Sequence, residues 1–144
     1  RIPMPPSGTA AELVQRSVRV RLRLTLTVTA IGSLLFGLAY LLVPSSLVSL
    51  YGLALDPSTQ YPRFFGSALL GFATVLWLSR SVTSGAALRA ILVGSFVASL
   101  TGLLVAGIQA LQPAGNALQW STVVIYFLLA VGYGDFVLRT PPPK

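Results

Sequence analysis

The acid chemistry of this chain rests on three carboxylates, Glu12, Asp56 and Asp135, and the sequence contains no His and no Cys. Metal sites are built from His, Cys and clustered carboxylates, and these three lie far apart in sequence. A Ser–His or Cys–His nucleophile pair cannot be assembled. Haem ligation normally draws on His, Met or Cys, and the one methionine, Met4, falls in an N-terminal stretch rich in Pro, Ser, Gly and Thr. No glycine-rich phosphate motif is present. Asp56 alone is a poor cation ligand; followed by Pro57 it reads better as a helix N-cap with proline at the first helical position. The expectation is a protein with no catalytic residues, no bound metal and no cofactor.

The remaining polar side chains are uncharged. Thr25, Thr27, Thr29, Thr74, Thr101 and Thr122 can bond their own helix backbone. Gln109, Thr122 and Tyr126, with Gln112, are the residues that could line a small site for a lipid or quinone headgroup. Ion-coupled transporters and proton pumps place ionisable groups near the bilayer midplane, and none falls there in this chain; Asp135 lies at the end of its apolar stretch.

The elements that must position these residues follow from composition. The chain has 144 residues, 54% hydrophobic and 9% charged. A soluble domain carries about 25% charged residues, so this chain belongs in lipid. A bilayer helix needs about 20 mostly apolar residues. Four segments qualify, at about 24–43, 63–79, 88–111 and 117–138. Backbone groups inside lipid must be paired within the protein, so such runs read as helices. The fold expected is an all-α bundle of four transmembrane helices in a single domain. Residues 1–12 are expected to be an irregular tail, and 139–144, with three consecutive prolines, an extended one. The first apolar run is full length and follows a polar lead, which reads against a cleavable signal peptide.

Val18–Thr29 alternates apolar and polar residues, the period of a strand. It runs directly into a bilayer helix, so a helical lead continuous with the first span is expected instead. In the first outer loop, Pro44–Pro62, Ser45–Tyr51 reads as a short amphipathic helix in the membrane interface, stopped by Gly52. Pro62 predicts a kink or restart near Arg63.

The net charge of +7 is distributed asymmetrically. Arg1, Arg16, Arg19, Arg21, Arg23, Arg80, Arg89, Arg139 and Lys144 fall on one side of the four spans and Arg63 on the other. Basic residues concentrate in cytoplasmic loops, which places both termini inside. Tyr40, Tyr51, Tyr61 and Trp120 near the outer boundary, and Trp77 and Tyr133 near the inner one, agree as aromatic belts. Arg16, Arg19, Arg21 and Arg23 could dock anionic lipid or a partner, or act as an orientation signal only. Nucleic acid is not expected, because no stacking platform accompanies the charge. Asp135 and Arg139 are spaced for a helical ion pair.

Small residues mark helix-packing faces in membranes. Ala90, Gly94, Ala98, Gly102, Ala106 and Ala110 recur at every fourth position of the third span. Four residues turn a helix by about 400°, so the column winds around the helix and one straight partner cannot use all of it. Internal packing and packing against another protein both remain open. Gly32-Ser33 followed by Gly37 and Ala39 matches Gly66-Ser67 followed by Gly71 and Ala73 in spacing. This reads as a contact of Ser33 and Gly37 with Ser67 and Gly71, as an inverted repeat, or as chance.

The segment LLFGLAYLLVPSSLVSLYGLALDP, followed by RFFGSALLGFATVLWLSR, resembles a broad group of small bacterial membrane proteins with four helices. The matching residues are Pro44, Leu50, Tyr51, Gly52, Arg63, Gly66 and Gly71. The resemblance implies a four-helix fold in a bacterial inner membrane and brings no activity or site residues. Together these features lead to the expectation of a non-catalytic accessory subunit of a larger respiratory, photosynthetic or transport assembly, in contact with membrane lipids and other integral membrane subunits. The alternative is a stand-alone binder or carrier of a lipid, quinone or other hydrophobic molecule.

Overall fold

The structure, a computed structural model, describes residues 10–52, 60–82, 85–112 and 116–139. Five helices make up the described residues: α1 (Ala10–Leu42), α2 (Pro44–Leu50), α3 (Gln60–Ser79), α4 (Ala86–Ala110) and α5 (Ala117–Arg139). No strand forms among them. The fold is all-α, and α1, α4 and α5 are long and apolar enough to cross a membrane. The sequence suggested a fourth span in α3. That helix is 20 residues long and opens on Gln60, Tyr61, Pro62 and Arg63; it is not among the three.

Residues 10–12, expected in an irregular tail, belong to α1, and residues 1–9 fall outside the described residues. Helix α1 already begins at Ala10 and runs for 33 residues without interruption. Its strand-like alternation is overridden within the helix itself. Thr27 Oγ1 donates to the Arg23 carbonyl at 2.7 Å and Thr29 Oγ1 to the Thr25 carbonyl at 2.9 Å. These bonds satisfy β-branched hydroxyls inside a helix.

Pro44 ends α1. The residue before a proline is pushed away from helical backbone angles, and Val43 sits at φ −132°, ψ 51°. Pro44 then occupies the start of α2, where its missing N–H is no loss. The Gly52 backbone, at φ +70°, follows the end of α2, a conformation that favours glycine. Of the kink or restart expected near Arg63, the structure has a helix start. Helix α3 starts at Gln60, so Pro62 lies in its first turn, where the backbone N–H has no helical acceptor in any case. Asp56-Pro57, Thr83-Ser84, Pro113–Gly115 and the two tails fall outside the described residues.

Helix α1 packs mainly against α3, and α4 mainly against α5. Gly37 meets Gly66 while Leu26 and Ala30 cluster with Leu76, so α1 and α3 are antiparallel. Gly102 meets Tyr126 and Phe96 meets Gly134, so α4 and α5 are too. The two hairpins share one apolar core: Leu26 and Ala30 of α1, Leu76 of α3, Leu88 and Leu92 of α4, and Tyr133 and Phe136 of α5. By chain order this core sits at the end of the bundle that carries Arg23, Arg80, Arg89 and Arg139, hereafter the basic end. At the opposite end the hairpins are joined by a polar clasp. Asn116 Nδ2 donates to the Leu50 carbonyl at 2.9 Å, and Gln119 Nε2 to the Tyr51 carbonyl at 3.0 Å.

Candidate functional site

The candidate site residues fall into an interior set and an exterior set. Inside the bundle, the face of α5 directed at its neighbours carries Gln119, Thr122, Tyr126 and Tyr133, spaced three, four and seven residues apart. Gln119 is 6% exposed and Tyr133 0%. Tyr133 was placed by the sequence in an interfacial aromatic belt. Instead it is the largest fully buried side chain among the described residues, inserted among all four long helices. Its hydroxyl faces those of Thr29 on α1 and Ser95 on α4. Thr29 donates to its own helix, whereas Tyr133 Oη and Ser95 Oγ make no hydrogen bond of ordinary geometry. A neighbouring buried hydroxyl, Ser99, donates to the Ser95 carbonyl at 2.7 Å. The sequence offered one hint of this node: Tyr133 lies between Gly132 and Gly134, and a Cβ on Gly134 would come within 3.1 Å of the Phe96 ring.

Nearer the opposite end, Tyr40 lies within electrostatic reach of Tyr51 and Tyr126. Its ring meets Phe65 edge-on, centroids 5.1 Å apart and planes 85° apart, a favoured aromatic geometry. Tyr126 is pressed against Gly102, where a Cβ would collide with the phenol ring. Of the residues considered for a headgroup site, Tyr126 and Thr122 are therefore half-buried in the bundle, and Gln109 and Gln112 are exposed. Gln119, which the sequence did not single out, has its amide nitrogen in the clasp and its Oε1 buried without a partner.

The small-residue column of α4 divides in two. Gly102 faces Tyr126, Ala106 is buried and Ala110 is half-buried. Ala90, Gly94 and Ala98 are exposed, and nothing lies within 4 Å of where a Gly94 Cβ would stand. The division follows from the drift of a four-residue repeat around the helix. The exposed half continues an outward seam at alternating three- and four-residue spacing through Ala87, Ala90, Gly94, Val97 and Thr101, all exposed. Helix α3 carries a second such seam, Phe64, Ser67, Gly71, Thr74 and Leu78, also exposed. In both seams the hydroxyls bond their own helix, Ser67 to Phe64, Thr74 to Leu70 and Thr101 to Val97.

Gly37 is brought against the α3 backbone at Gly66 rather than at Ser67 or Gly71. Ser33 is half-buried, Ser67 and Gly71 are exposed, and nothing among the described residues lies within 4 Å of where a Gly71 Cβ would stand.

No family model matches this chain, and no curated protein or solved structure is significantly similar to it.

At the basic end, Arg16, Arg19 and Arg23 line a shallow notch on α1 together with Glu12 and Val20. Arg21 projects from another side of the helix and is exposed. Among the described residues no ion pair engages these four arginines, whereas Arg139 Nε donates to Asp135 Oδ1 at 2.7 Å. Arg80 lies over the Trp77 ring at 3.2 Å from its centroid and donates to the Trp77 carbonyl.

Proposed function

We propose that this protein is a non-catalytic accessory subunit of a larger membrane assembly, and that it acts by presenting helix faces to other integral membrane subunits. The observation that carries this reading is the outward seam of α4. A glycine in a membrane helix gives up helix stability and side-chain contact, and Gly94 gains no close contact among the described residues in return. Ala87, Ala90 and Thr101 keep the same stripe narrow, and Ser67, Gly71 and Thr74 do so on α3. Narrow stripes allow another helix backbone to approach closely, which is how helices associate where lipid supplies no hydrophobic drive between them.

In this reading α3 also crosses the bilayer. Its antiparallel pairing with α1, from Gly66 beside Gly37 to Leu76 beside Leu26, supports that. The basic end faces the cytoplasm of a bacterial cell, with both termini inside, because most Lys and Arg residues gather there. Helix α2 lies in the outer interface.

The test is gentle extraction of the native membrane, isolation of this protein and identification of what accompanies it by mass spectrometry. A stoichiometric set of larger membrane proteins is the expected result, and their identity would define the assembly as respiratory, photosynthetic or transport. A lone chain would remove the proposal.

A second reading is favoured by the inward polar residues of α5. Gln119, Thr122, Tyr126 and Tyr133, opposed by Tyr40 and Thr29, are suited to a carrier of a hydrophobic molecule with a small polar head. An apolar molecule bound tightly to the isolated protein, and lost on substitution of Tyr126 and Gln119, is the outcome that would favour it.

A further inference from the structure

Helix α1 is much longer than a bilayer requires. Its 33 residues extend about 50 Å at 1.5 Å per residue, whereas the hydrocarbon core is about 30 Å thick and takes about 20 residues. Counted back from Leu42, at the end of α1, the core ends near Arg23. Arg19 then lies about 6 Å and Arg16 about 10 Å beyond that edge along the axis, at the depth of the headgroups and their rim.

Arg16, Arg19 and Arg23 are spaced three and four residues apart, so their side chains emerge on one face as neighbours. They line one notch. No ion pair occupies them among the described residues. Glu12, the acidic residue of the notch, lies one turn, about 6 Å along the axis, from Arg16 and about 10 Å from Arg19, on the side away from the bilayer. Guanidinium groups bind phosphate oxygens in a bidentate manner. Val20 is part of the same notch, 60% exposed, and Leu24, 63% exposed, follows one turn further into the membrane. Ile31 and Leu35, exposed as well, extend this apolar track toward the midplane. Phosphate-binding groups at headgroup depth, with an uncovered apolar track leading from them into the bilayer, match the polarity of one molecule.

We propose that Arg16, Arg19 and Arg23 form a binding site for an anionic phospholipid of the leaflet at the basic end, with its phosphate in the notch beside Val20 and its acyl chains along Leu24 and Ile31. The site requires only that α1 crosses the membrane, and it does not rest on the subunit reading.

The experiment uses the full chain, purified in mild detergent and stripped of lipid, with phosphatidylglycerol or phosphatidylcholine of identical chains added and bound lipid counted by native mass spectrometry. One phosphatidylglycerol should be retained in preference to phosphatidylcholine. R19Q/R23Q should weaken its retention about thirty-fold, from about 1 kcal/mol for each basic residue near the surface. R19K/R23K, which keeps the charge, should lose less. R80Q/R139Q removes the same net charge from the same end of the bundle and should change retention by no more than about threefold, because neither arginine lines the notch. Equal losses in R19Q/R23Q and R80Q/R139Q would reduce the arginines to a diffuse charge and overturn the site. So would equal retention of the two lipids, displacement of the lipid by millimolar inorganic phosphate, or tighter capture of an acidic peptide than of the lipid. Circular dichroism of each variant keeps a loss of fold separate from a loss of binding.

Discussion

Gly37 of α1 and Gly66 of α3 face each other so closely that a Cβ on Gly66 would lie 2.8 Å from the Gly37 carbonyl oxygen, and a Cβ on Gly37 would lie 3.0 Å from the Gly66 carbonyl oxygen. The contact is reciprocal and involves backbone on both sides, which cannot swing away as a side chain can. This pair sets the separation of the first hairpin and places Tyr40 beside Phe65.

Gly66→Ala should therefore destabilise the first hairpin by about 1–3 kcal/mol, the usual range for overpacking a close interface. Gly66→Leu should be worse. Gly71→Ala, one turn away on the opposite face, has nothing within 4 Å of the new Cβ and should be neutral or stabilising by up to about 1 kcal/mol through helix propensity. Unfolding by denaturant in detergent micelles, monitored by far-UV circular dichroism, would distinguish the two. Equal effects at 66 and 71 would mean that the hairpin does not close at Gly37.

The second hairpin makes a side-chain version of the same contact. Gly102→Ala forces the new methyl into the Tyr126 ring. Tyr126→Leu alone leaves a gap and should also destabilise. The two changes share one space, so the double variant should be more stable than the sum of the singles predicts, by about 0.5–3 kcal/mol of coupling. Strict additivity in a double-mutant cycle would dissolve the contact.

At the basic end, Tyr133 and Ser95 bury hydroxyls that gain no well-formed hydrogen bond, while the Tyr133 ring fills the junction of all four long helices. The ring and the hydroxyl should thus separate cleanly. Tyr133→Phe, alone or with Ser95→Ala, should stay within about 1 kcal/mol of the parent or exceed it, since removing both polar partners from a buried site is nearly neutral. Tyr133→Ala should cost about 3–5 kcal/mol through the cavity it leaves. A large loss from Tyr133→Phe, read as a fall in the unfolding midpoint, would show instead that Thr29, Ser95 and Tyr133 close into a network.

These contrasts mark what the sequence made legible. The all-α class, the apolar helices and the gathering of arginines at one end follow from hydropathy and charge counts, which need no tertiary information. The rotational setting of each helix does not. Gly37 and Gly71 share a composition motif, yet one is buried against backbone and the other is exposed. Tyr133 has the residue type and depth of a belt aromatic, yet it points inward, because the face of α5 that carries it also carries Gln119, Thr122 and Tyr126. Lipid and protein interior are both apolar, so the amphipathic signal that orients a helix in a soluble protein is weak here. Polar side chains and close glycine contacts show the inward faces instead, and those contacts emerge only when two helices are placed together.

The outward seam supplies the sharpest separation of fold from assembly. Gly94→Leu and Ala98→Leu add bulk where the chain itself leaves open space at position 94 and an exposed side chain at position 98. The isolated protein should keep its unfolding midpoint, to within about 0.5 kcal/mol as for exposed substitutions generally. If α4 docks another subunit through this stripe, the same variants should lose their co-purifying partners, because a close helix crossing tolerates only small residues at its centre. Leu104→Ala, near one end of the seam, should leave partner recovery unchanged. Gly94→Leu protein that folds normally and still recovers every partner would move the docking face elsewhere, and the α3 seam at Ser67, Gly71 and Thr74 would be the next surface to block.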